Sequence, residues 1–377
     1  MIATSSWLRL DVETPCLAVD IDTVTRNLVR MADVAKQFGV ELLPHAKTHR
    51  IIEMGQLQVR HSSGGLSVAK LGEAEAFADA GVGRLFVAYP VVGFRKVSRA
   101  LNLHSRVDIA FGADSIAGAE GLAEQFHAAG ETAKVMLAVD TGLGREGVSP
   151  AGALRLADEM RGTPGLALTG IYTHEGSVAE ATDHADLVTR SVQAAESMVT
   201  VAEMLRARGH EVPTVSMGCS ASAAIVASVK GVTQIRPGIY AFNDLGQVAL
   251  GSATRQECAL RVMATVVSRP ETERACVDAG TKSLGADLIS ATALRNVYPG
   301  YGELVNLPGW HLERLSEEHG WLRWRGNGEP TGLQVGSRVE IIPTHACMAF
   351  ASLRRALIVQ NAQVVEVWDT LGPGSSE

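Results

Sequence analysis

The chain has 377 residues, is 46% hydrophobic and carries a formal net charge of −7 at pH 7. Acidic and basic residues are interleaved along it, so we expect neither a nucleic acid nor an anionic membrane as a partner, and no stretch approaches the roughly 20 apolar residues of a membrane-spanning helix. The five cysteines form no Cys-x-x-Cys pair, and the N-terminal residues include no apolar signal segment, so we predict a cytoplasmic protein with reduced thiols.

Short apolar runs alternate with segments of helical periodicity over residues 40–242. The eight runs lie at residues 40–43, 66–69, 85–88, 107–111, 135–139, 166–172, 214–217 and 232–236, and the clearest helical segments are 70–80, 115–129 and 178–208. Strands that alternate with helices are typical of α/β proteins, and eight of them close a (β/α)8 TIM barrel. The sequence therefore predicts such a barrel over residues 22–245, with an open, doubly wound sheet as the alternative.

The pattern changes after residue 251. Segments 257–268, 273–278, 337–343, 357–360 and 364–368 are short, rich in β-branched residues and separated by turns, which indicates strands. Residues 298–332 form a polar excursion with several glycines and tryptophans, and the apolar run at 16–20 precedes the predicted barrel. We therefore predict a second, mainly β domain made of residues 1–21 and 246–377.

Lys47 lies just beyond the first predicted barrel strand, between His45 and His49. Barrel enzymes keep their reacting groups at this end of the strands. Burial and cationisable neighbours lower the pKa of a lysine, which makes its amine a nucleophile for Schiff-base formation. The alternative is a solvated lysine in a strand-to-helix loop.

Two later loops are candidates for binding a phosphate group, because barrels that hold phosphorylated ligands commonly use the loops after strands seven and eight. The first contains Gly218, Cys219, Ser220 and Ser222, and the second contains Arg236, Gly238 and Tyr240. Backbone N–H groups and hydroxyls of this kind can donate to a dianion. A serine N-cap and an ordinary turn are the alternatives for either loop alone, but the two loops together favour phosphate.

Three more side chains follow the fifth and sixth runs. Arg145 lies in the glycine-rich segment 140–147, which is neither a Walker loop nor a dinucleotide fingerprint, and could donate to an anionic oxygen at the barrel mouth. Tyr172 and His174 share one face of an extended chain, so we expect both to face the same pocket. A surface arginine and a structural histidine are the alternatives.

A His-x-Cys pair, His345 and Cys347, lies in the predicted β domain. In a strand the two side chains would share one face, about 7 Å apart along the chain. Imidazole and thiolate suit zinc, and two protein ligands leave positions open for water or substrate, as in catalytic sites. Such a pair alone is a weak signal, and the candidate lysine and phosphate loops strengthen it.

Seven motifs, in this order, make the sequence similar to the eukaryotic-type D-serine dehydratases and D-threonine aldolases. They are Pro44-His-Ala-Lys-Thr-His49, Asp140-Thr-Gly-x-x-Arg-x-Gly147, Tyr172-x-His-Glu-Gly176, Ser216-x-Gly-x-Ser220, Arg236-Pro-Gly-x-Tyr240, Asp278-Ala-Gly-x-Lys282 and His345-x-Cys347. These enzymes are the metal-assisted branch of the fold-type III pyridoxal-phosphate enzymes, whose barrel resembles that of alanine racemase. The resemblance covers nearly the whole chain.

The resemblance implies a role for each motif. Lys47 would carry pyridoxal 5′-phosphate as a Schiff base and later take the α-proton of the substrate, and His174 would lie against the cofactor ring. Arg236 matches a residue that faces the pyridine nitrogen in racemases, and Cys219 stands where relatives often have serine or threonine. The cofactor-binding residues implied are Lys47, Arg145, Tyr172, His174, Gly218, Cys219, Ser220, Arg236, Gly238 and Tyr240. His345 and Cys347 would bind a divalent metal, with zinc favoured by the thiolate over manganese or magnesium.

The implied reaction is the elimination of water from a β-hydroxy D-amino acid, such as D-serine or D-threo-3-hydroxyaspartate, to give a 2-oxo acid and ammonia. One alternative is retro-aldol cleavage to glycine and an aldehyde, as in the D-threonine and 3-hydroxy-D-aspartate aldolases. Others are an amino-acid racemase and a non-catalytic cofactor carrier. Dehydratases of this family tend to have His-x-Cys at the metal and aldolases His-x-Asp, so Cys347 favours the dehydratase. The resemblance also implies a homodimer.

Overall fold

The computed structural model describes residues 6–290, 292–295, 297–305, 307–330 and 332–372. The chain divides into a barrel unit (Val29–Ala181, Ala185–Gly238 and Leu371–Glu377) and a β unit (Met1–Leu28, Thr182–His184 and Ile239–Thr370). The domain limits drawn from the sequence, 22–245 against 1–21 and 246–377, stay a prediction, and residues 1–5 and 373–377 lie outside the described residues. Every described helix is too short or too polar to serve as a transmembrane span.

Strand β1 (Cys16–Asp20) and helix α1 (Ile21–Phe38) precede the barrel strands. The barrel strands are β2 (Glu41–Leu42), β3 (Leu66–Val68), β4 (Arg84–Pro90), β5 (Asp108–Ala113), β6 (Ala133–Ala138), β7 (Leu166–Tyr172), β8 (Thr214–Met217) and β9 (Gln234–Ile235). They pair in parallel in the order β2-β9-β8-β7-β6-β5-β4-β3, and a parallel bridge between His45 and Ser67 joins the two ends. The eight predicted runs and the (β/α)8 barrel are therefore confirmed.

Helices follow the barrel strands. They are α2 (Ile52–Arg60), α3 (Leu71–Asp79), α4 (Phe94–His104), α5 (Ile116–Ala128), α6 (Pro150–Met160), α7 (His184–Ala207) and α8 (Ala223–Ala227). Ser115 and Ser149 cap α5 and α6, since their hydroxyls accept from the N–H groups of Gly118 and Gly152. The single helix predicted over 178–208 is wrong at its start, because a 3-10 turn (Gly176–Glu180) comes first and α7 begins at His184.

The interior of the barrel unit is packed rather than hollow. Leu43, Phe86, Met136, Ala138 and Tyr172 form one buried cluster, and the rings of Phe86 and Tyr172 meet edge to face with centroids 5.1 Å apart. The buried centres of the strands explain why their sequences are continuous apolar runs, as expected of parallel strands covered on both faces.

The β unit is built on a nine-stranded sheet. Its remaining strands are β10 (Leu260–Glu271), β11 (Arg274–Val277), β12 (Gly302–Leu304), β13 (Trp310–Leu315), β14 (Gly320–Trp324), β15 (Arg338–Pro343), β16 (Arg355–Gln360) and β17 (Gln363–Asp369). The order is β11-β14-β13-β12-β15-β10-β1-β16-β17, and a further pairing of β11 with β10 closes six strands into an antiparallel barrel. The predicted mainly β second domain is therefore confirmed, and three of its strands lie in the stretch that the sequence analysis described only as an excursion.

Short helices connect the strands of the β unit. They are α9 (Leu245–Ala249), α10 (Thr281–Leu284), α11 (Thr292–Arg295) and α12 (Ala346–Ser352). Strand β1 lies between β10, to which it is antiparallel, and β16, to which it is parallel. Strand β1 is therefore an interior strand of this sheet.

Candidate active site

Lys47 lies in a short 3-10 turn (Ala46–Thr48) that is held at its N-terminal end by His45. The N–H of His45 donates to the carbonyl of Pro237 at 2.9 Å, and Nδ1 of His45 accepts from the N–H of Lys47 at 3.3 Å. The side chain of Lys47 is half-buried at the carboxyl end of β2. This is the end of the barrel where the sequence predicted chemistry.

The two histidines that flank Lys47 are buried and neutral. Burial lowers the pKa of His49 to about 4, although its bonds to Gln58 and to the Ile51 N–H oppose that shift. Burial also lowers the pKa of His45 well below its usual range, and the charges of Lys47 and Arg236 add to the effect. The expectation that these imidazoles supply positive charge beside Lys47 is therefore wrong, because both are held without a proton at neutral pH.

His174, beyond the end of β7, reaches the loop after β8. Its Nδ1 contacts the carbonyl of Gly218 in a short hydrogen bond. Burial, followed by the charge of Lys47, lowers the pKa of His174 to about 3, so the ring is neutral. The charge of Lys47 thus acts on His174, and the place of both residues in one cofactor pocket stays a prediction.

Arg236 is a buried cation at the end of β9. Its Nε donates to Oγ of Ser216 at 2.7 Å and its Nη2 donates to the carbonyl of Thr173 at 2.5 Å. The guanidinium also lies over the ring of Tyr172, 5.3 Å from the centroid. Burial lowers the pKa of Arg236 to about 10, and the charge of Glu175 opposes that shift. The bonds to the ends of β7 and β8 hold the guanidinium in one position.

The two predicted phosphate loops contact each other. Oγ of Ser220 accepts from the N–H of Gly238 at 3.1 Å. A Cβ on Gly238 would lie 2.9 Å from Oγ1 of Thr48 and 3.0 Å from the carbonyl of His45, so this loop also lies against the Lys47 segment. Only glycine permits that approach. Three chain segments named as candidates from the sequence therefore meet at one place in the barrel unit.

Glu175 lies in the motif Tyr172-x-His-Glu-Gly176, and the sequence did not predict a role for it. It is fully buried, and its carboxylate accepts from the N–H of Gly218 at 2.9 Å and from the hydroxyl of Ser222 at 2.6 Å. The Ser222 hydroxyl, predicted from the sequence as a phosphate donor, instead donates to Glu175. Nothing in the neighbouring sequence indicates a buried carboxylate here, because the two residues that donate to it lie 43 and 47 positions away.

Cys219 follows Gly218 in the same loop. Burial, then the charge of Glu175, raises the pKa of its thiol to about 11, while the backbone N–H groups of Ala221 and Ser222 donate to the sulfur. The thiol is therefore protonated at neutral pH and is a poor nucleophile. The hydroxyl of a serine or threonine at position 219 could accept from the same two backbone N–H groups.

Arg145 and Tyr172 differ in their surroundings. The guanidinium of Arg145 is half-exposed and pairs with its neighbour Glu146 at 2.5 Å. The loop before it is fixed by Asp140, whose Oδ1 accepts from the N–H groups of Gly142 and Leu143 at 2.9 Å each. Burial raises the pKa of Tyr172 above its usual range, and within the described residues its hydroxyl has no hydrogen-bond partner. Such a buried, unsatisfied hydroxyl is available to a polar group of a ligand.

His345 and Cys347, in the β unit, do not lie in a strand as predicted. Strand β15 ends at Pro343, His345 is the N-cap residue of α12, and Cys347 lies in its first turn. The predicted placement of both side chains on one strand face is therefore wrong, because the chain turns into a helix between the two residues. The two side chains are nevertheless hydrogen-bonded to each other, so one ion could contact both.

Two aspartates surround this pair. Oδ2 of Asp287 lies 2.6 Å from Nδ1 of His345. Asp244 is buried, and its carboxylate accepts from the N–H groups of Ala346 and Gln247. Burial alone would lower the pKa of His345, but the bond to Cys347 and the charges of Cys347 and Asp244 outweigh it and raise that pKa to about 10. Among the described residues, no group of three or more His, Cys, Asp or Glu side chains has the arrangement of a metal site.

Asp278 and Lys282, from the remaining motif, have separate positions in the β unit. Asp278 accepts from the N–H of Thr265 at 2.7 Å and from the hydroxyl of Thr14 at 2.6 Å. Lys282 forms an exposed ion pair with Glu318. Tyr240, also in the β unit, is buried in a 3-10 turn (Ile239–Ala241). Its predicted part in binding phosphate stays a prediction.

Comparison with known proteins agrees with this arrangement. Residues 19–245 match the family described as "Alanine racemase, N-terminal domain", and residues 259–359 match the "Putative serine dehydratase domain". D-threo-3-hydroxyaspartate dehydratase of Delftia sp. (strain HT23) is 32% identical, with 96% of this chain and 98% of that enzyme covered. D-threonine aldolase of Arthrobacter sp. is 28% identical, with 97% and 94% covered.

Solved structures of the dehydratase are also similar to the chain. The enzyme of Delftia sp. HT23 superimposes with a TM-score of 0.87 at 31% identity, with 97% of this chain and 99% of that chain covered. A variant of D-threo-3-hydroxyaspartate dehydratase with one cysteine replaced by alanine, in its metal-free form, superimposes with a TM-score of 0.85 at 30% identity, with 98% and 100% covered. The chain therefore belongs to the D-serine dehydratase and D-threonine aldolase family of pyridoxal-phosphate-dependent lyases with an alanine racemase-like barrel.

Proposed function

We propose that the protein is a pyridoxal-phosphate- and metal-dependent dehydratase that eliminates water from a β-hydroxy D-amino acid and yields a 2-oxo acid and ammonia. One observation carries the proposal: the Lys47 segment packs against the turn at Gly238, whose N–H is bonded to Ser220 in the other candidate phosphate loop. An amine and an anion-binding loop pair are the two attachments that pyridoxal phosphate needs.

The residues present fit the cofactor. Lys47 would hold it covalently, the loops at 218–222 and 236–238 would bind its phosphate, and the neutral ring of His174 would lie against its ring. The unsatisfied hydroxyl of Tyr172 fits a polar substituent of the cofactor. When bound, pyridoxal phosphate withdraws electrons from the α-carbon of an attached amino acid and so acidifies its α-proton.

Lys47 would have a second role during the reaction. Once the substrate amine had taken its place on the cofactor, the free Lys47 amine would be the group that accepts the α-proton. His45 and His174 are both uncharged next to it, so neither adds positive charge that would compete with protonation of the amine. The net reaction would release one water from the β-hydroxyl and consume one in hydrolysis, and its products would be the 2-oxo acid and ammonia.

A metal fits the pair His345 and Cys347 by the chemistry of its donors. Imidazole and thiolate favour Zn²⁺ over Mn²⁺ or Mg²⁺. A bound zinc ion would act as a Lewis acid that makes hydroxide a better leaving group. The thiolate at position 347 supports the dehydratase over the aldolase, because the aldolases that the sequence resembles tend to have aspartate there.

Product analysis tests the proposal. The purified protein is incubated with D-serine, D-threonine and D-threo-3-hydroxyaspartate, with and without a chelator, and 2-oxo acid, ammonia, glycine and aldehyde are measured. We expect 2-oxo acid and ammonia in equal amounts, lost on chelation and in Lys47→Ala. Lys134→Ala is the matched control, since Lys134 forms an exposed ion pair with Asp108. Glycine and aldehyde as products would refute the dehydratase.

The remaining expectations are a homodimer, a cytoplasmic location and zinc as the metal. They rest on the family resemblance and on the donor set, and they stay predictions. Sedimentation of the purified protein and its metal content after purification test two of them directly.

A further inference from the structure

Glu175 is a buried carboxylate with no part in the proposed reaction, in cofactor attachment or in the metal site. It follows His174 directly, is fully buried, and has both oxygens bonded to one loop. Oε2 accepts from the N–H of Gly218, and Oε1 accepts from the hydroxyl of Ser222. The two bonds hold the beginning and the end of the loop 218–222, so one side chain fixes its curvature.

The residue before Glu175 holds the same loop from another side. Nδ1 of His174 is bonded to the carbonyl of Gly218, whereas Glu175 is bonded to the N–H of that glycine. The carbonyl and the N–H of Gly218 are therefore held by two consecutive residues that follow β7. A loop held in this way has few conformations left when a ligand binds, so little entropy is lost on binding.

The position of Gly218 also depends on Arg236. A Cβ on Gly218 would lie 2.6 Å from Nη2 of Arg236, so the loop rests directly on the guanidinium. Glu175 supplies the negative charge that opposes the loss of a proton from Arg236 on burial. Glu175 therefore accepts two hydrogen bonds from the loop and also provides a negative charge that favours the protonated form of Arg236.

The bonds to Glu175 also decide which donors the loop can offer a ligand. The Gly218 N–H and the Ser222 hydroxyl are directed towards the carboxylate, whereas Ser220 is the serine that contacts the second loop at Gly238. An anion at this place would therefore meet the segment between Gly218 and Ser222 rather than its ends. The carboxylate itself is fully buried, and each of its two oxygens already accepts a hydrogen bond from this loop.

We propose that Glu175 is a positioning residue that shapes the loop 218–222 for the phosphate group of the cofactor. The proposal rests on the proposed function, because the ligand is the phosphate of pyridoxal phosphate. It predicts that loss of Glu175 weakens the binding of the phosphorylated cofactor specifically. Binding of pyridoxal, which has the aldehyde and the ring but no phosphate, should depend on Glu175 only weakly.

The test is a binding titration of the full chain, freed of cofactor by dialysis against cysteine. Pyridoxal 5′-phosphate and pyridoxal are added separately, and their dissociation constants are read from absorbance. Glu175→Ala removes both acceptors and the charge. Glu175→Gln keeps an acceptor for the Gly218 N–H and removes the charge. Ser222→Ala removes one bond and leaves Glu175 in place, and Glu180→Gln, at an exposed position of the following turn, is the matched control.

We expect Glu175→Ala to weaken binding of pyridoxal phosphate about tenfold or more, with pyridoxal changed less than about twofold. Glu175→Gln and Ser222→Ala should show smaller losses of the same preference, and Glu180→Gln should show none. Thermal unfolding of each variant is measured in parallel. A lower unfolding temperature with an unchanged ratio of the two dissociation constants would overturn the proposal, since it would show a role in stability alone.

The two proposals can fail separately. If the wild-type chain binds neither compound, the proposed function fails. If the wild type prefers pyridoxal phosphate and every Glu175 variant that folds keeps that preference, only the role of Glu175 fails. Should Glu175→Ala not fold, the ratio measured for Ser222→Ala and Glu175→Gln decides the matter.

Discussion

Oδ2 of Asp287 lies 2.6 Å from Nδ1 of His345. A carboxylate at one ring nitrogen of a metal-binding histidine fixes the orientation of the ring and leaves the other nitrogen for the metal. In the proposed metal site, the hydrogen bond to Asp287 would leave Nε2 of His345 as the ligand atom. Asp287 was not recognised in the sequence, because it lies 58 residues before its partner.

Replacing Asp287 should therefore weaken the metal site without removing a ligand. We expect Asp287→Asn to lower the affinity for Zn²⁺ by about 10- to 100-fold, the usual effect of losing such a partner. Competition with a chromogenic chelator measures this affinity. Asp369→Asn, which changes an exposed aspartate on β17 paired with Arg355, is the control, and equal affinities for the two variants would contradict the prediction.

Replacing Cys347 should separate metal binding from cofactor binding. Cys347→Ala should lose zinc and the formation of 2-oxo acid but keep the affinity for pyridoxal phosphate, because Lys47 and the loops 218–222 and 236–238, which we propose to hold the cofactor, belong to the barrel unit. Metal content, product formation and absorbance of the bound cofactor are measured on one preparation. Cys276→Ala, at a half-buried cysteine of β11, should change none of the three. Retained turnover in Cys347→Ala would refute the role of the metal.

His49 should make stability depend on pH. Its pKa is about 4 in the folded chain, below the usual 6.5, because the ring is fully buried. Between these values the unfolded chain binds a proton that the folded chain does not, so stability falls as the pH falls through this window. Between pH 7 and pH 5 this group should lower the free energy of unfolding by about 2 kcal/mol.

His49→Asn tests this expectation, since it keeps an acceptor for the Ile51 N–H and cannot titrate. Urea unfolding at pH 7 and pH 5 should show a smaller loss of stability on acidification in the variant than in the wild type, even if the variant is less stable at both. His127→Gln, at an exposed histidine of α5, should leave the pH dependence as it was. An undiminished loss in His49→Asn would show that other groups, such as His45 and His174, carry the effect.

Gly218→Ala should disturb the site by sterics alone. The added Cβ would lie 2.6 Å from Nη2 of Arg236, and that guanidinium is buried and bonded to Ser216 and Thr173, so the loop must move. We expect a loss of stability of about 1–3 kcal/mol together with weaker binding of pyridoxal phosphate, measured by thermal unfolding and by titration.

The matched control is Gly121→Ala. Gly121 lies in α5 with nothing within 4 Å of an added Cβ, and alanine is favoured over glycine inside a helix by about 0.5–1 kcal/mol. This variant should be as stable as the wild type or slightly more so, with unchanged cofactor affinity. A destabilised Gly121→Ala would show that the steric argument is incomplete.

The barrel could be predicted because parallel strands are buried on both faces and so appear as continuous apolar runs. The interruption of helix 178–208 could not, because a 3-10 turn and an α-helix have similar apolar spacing. Strands β12 to β14 were also missed, because they lie in a stretch that is largely polar. Trp310 and Trp324 pack against each other there, with ring centroids 5.7 Å apart. Alternation of apolar and polar residues is weak there.

The candidate site could be predicted in part. Lys47, Ser220 and Gly238 were named because each follows a strand, and residues at the same ends of parallel strands meet. Glu175 and Asp287 could not be named, because each acts through a partner distant in sequence. The neutral state of His45 and His49 depends on burial, which the neighbouring residues do not reveal.

Strand β1 adds a constraint on how the chain reaches its native state. Its residues pair with β10 on one edge and with β16 on the other, and these partners begin at Leu260 and Arg355. At about 5–20 residues per second, the second partner leaves the ribosome roughly 20 to 70 s after β1. During synthesis one edge of β1, which contains Leu17 and Val19, therefore stays unpaired until β16 has been made. A chain that ends before Arg355 keeps this open strand edge, which can pair with another chain and aggregate.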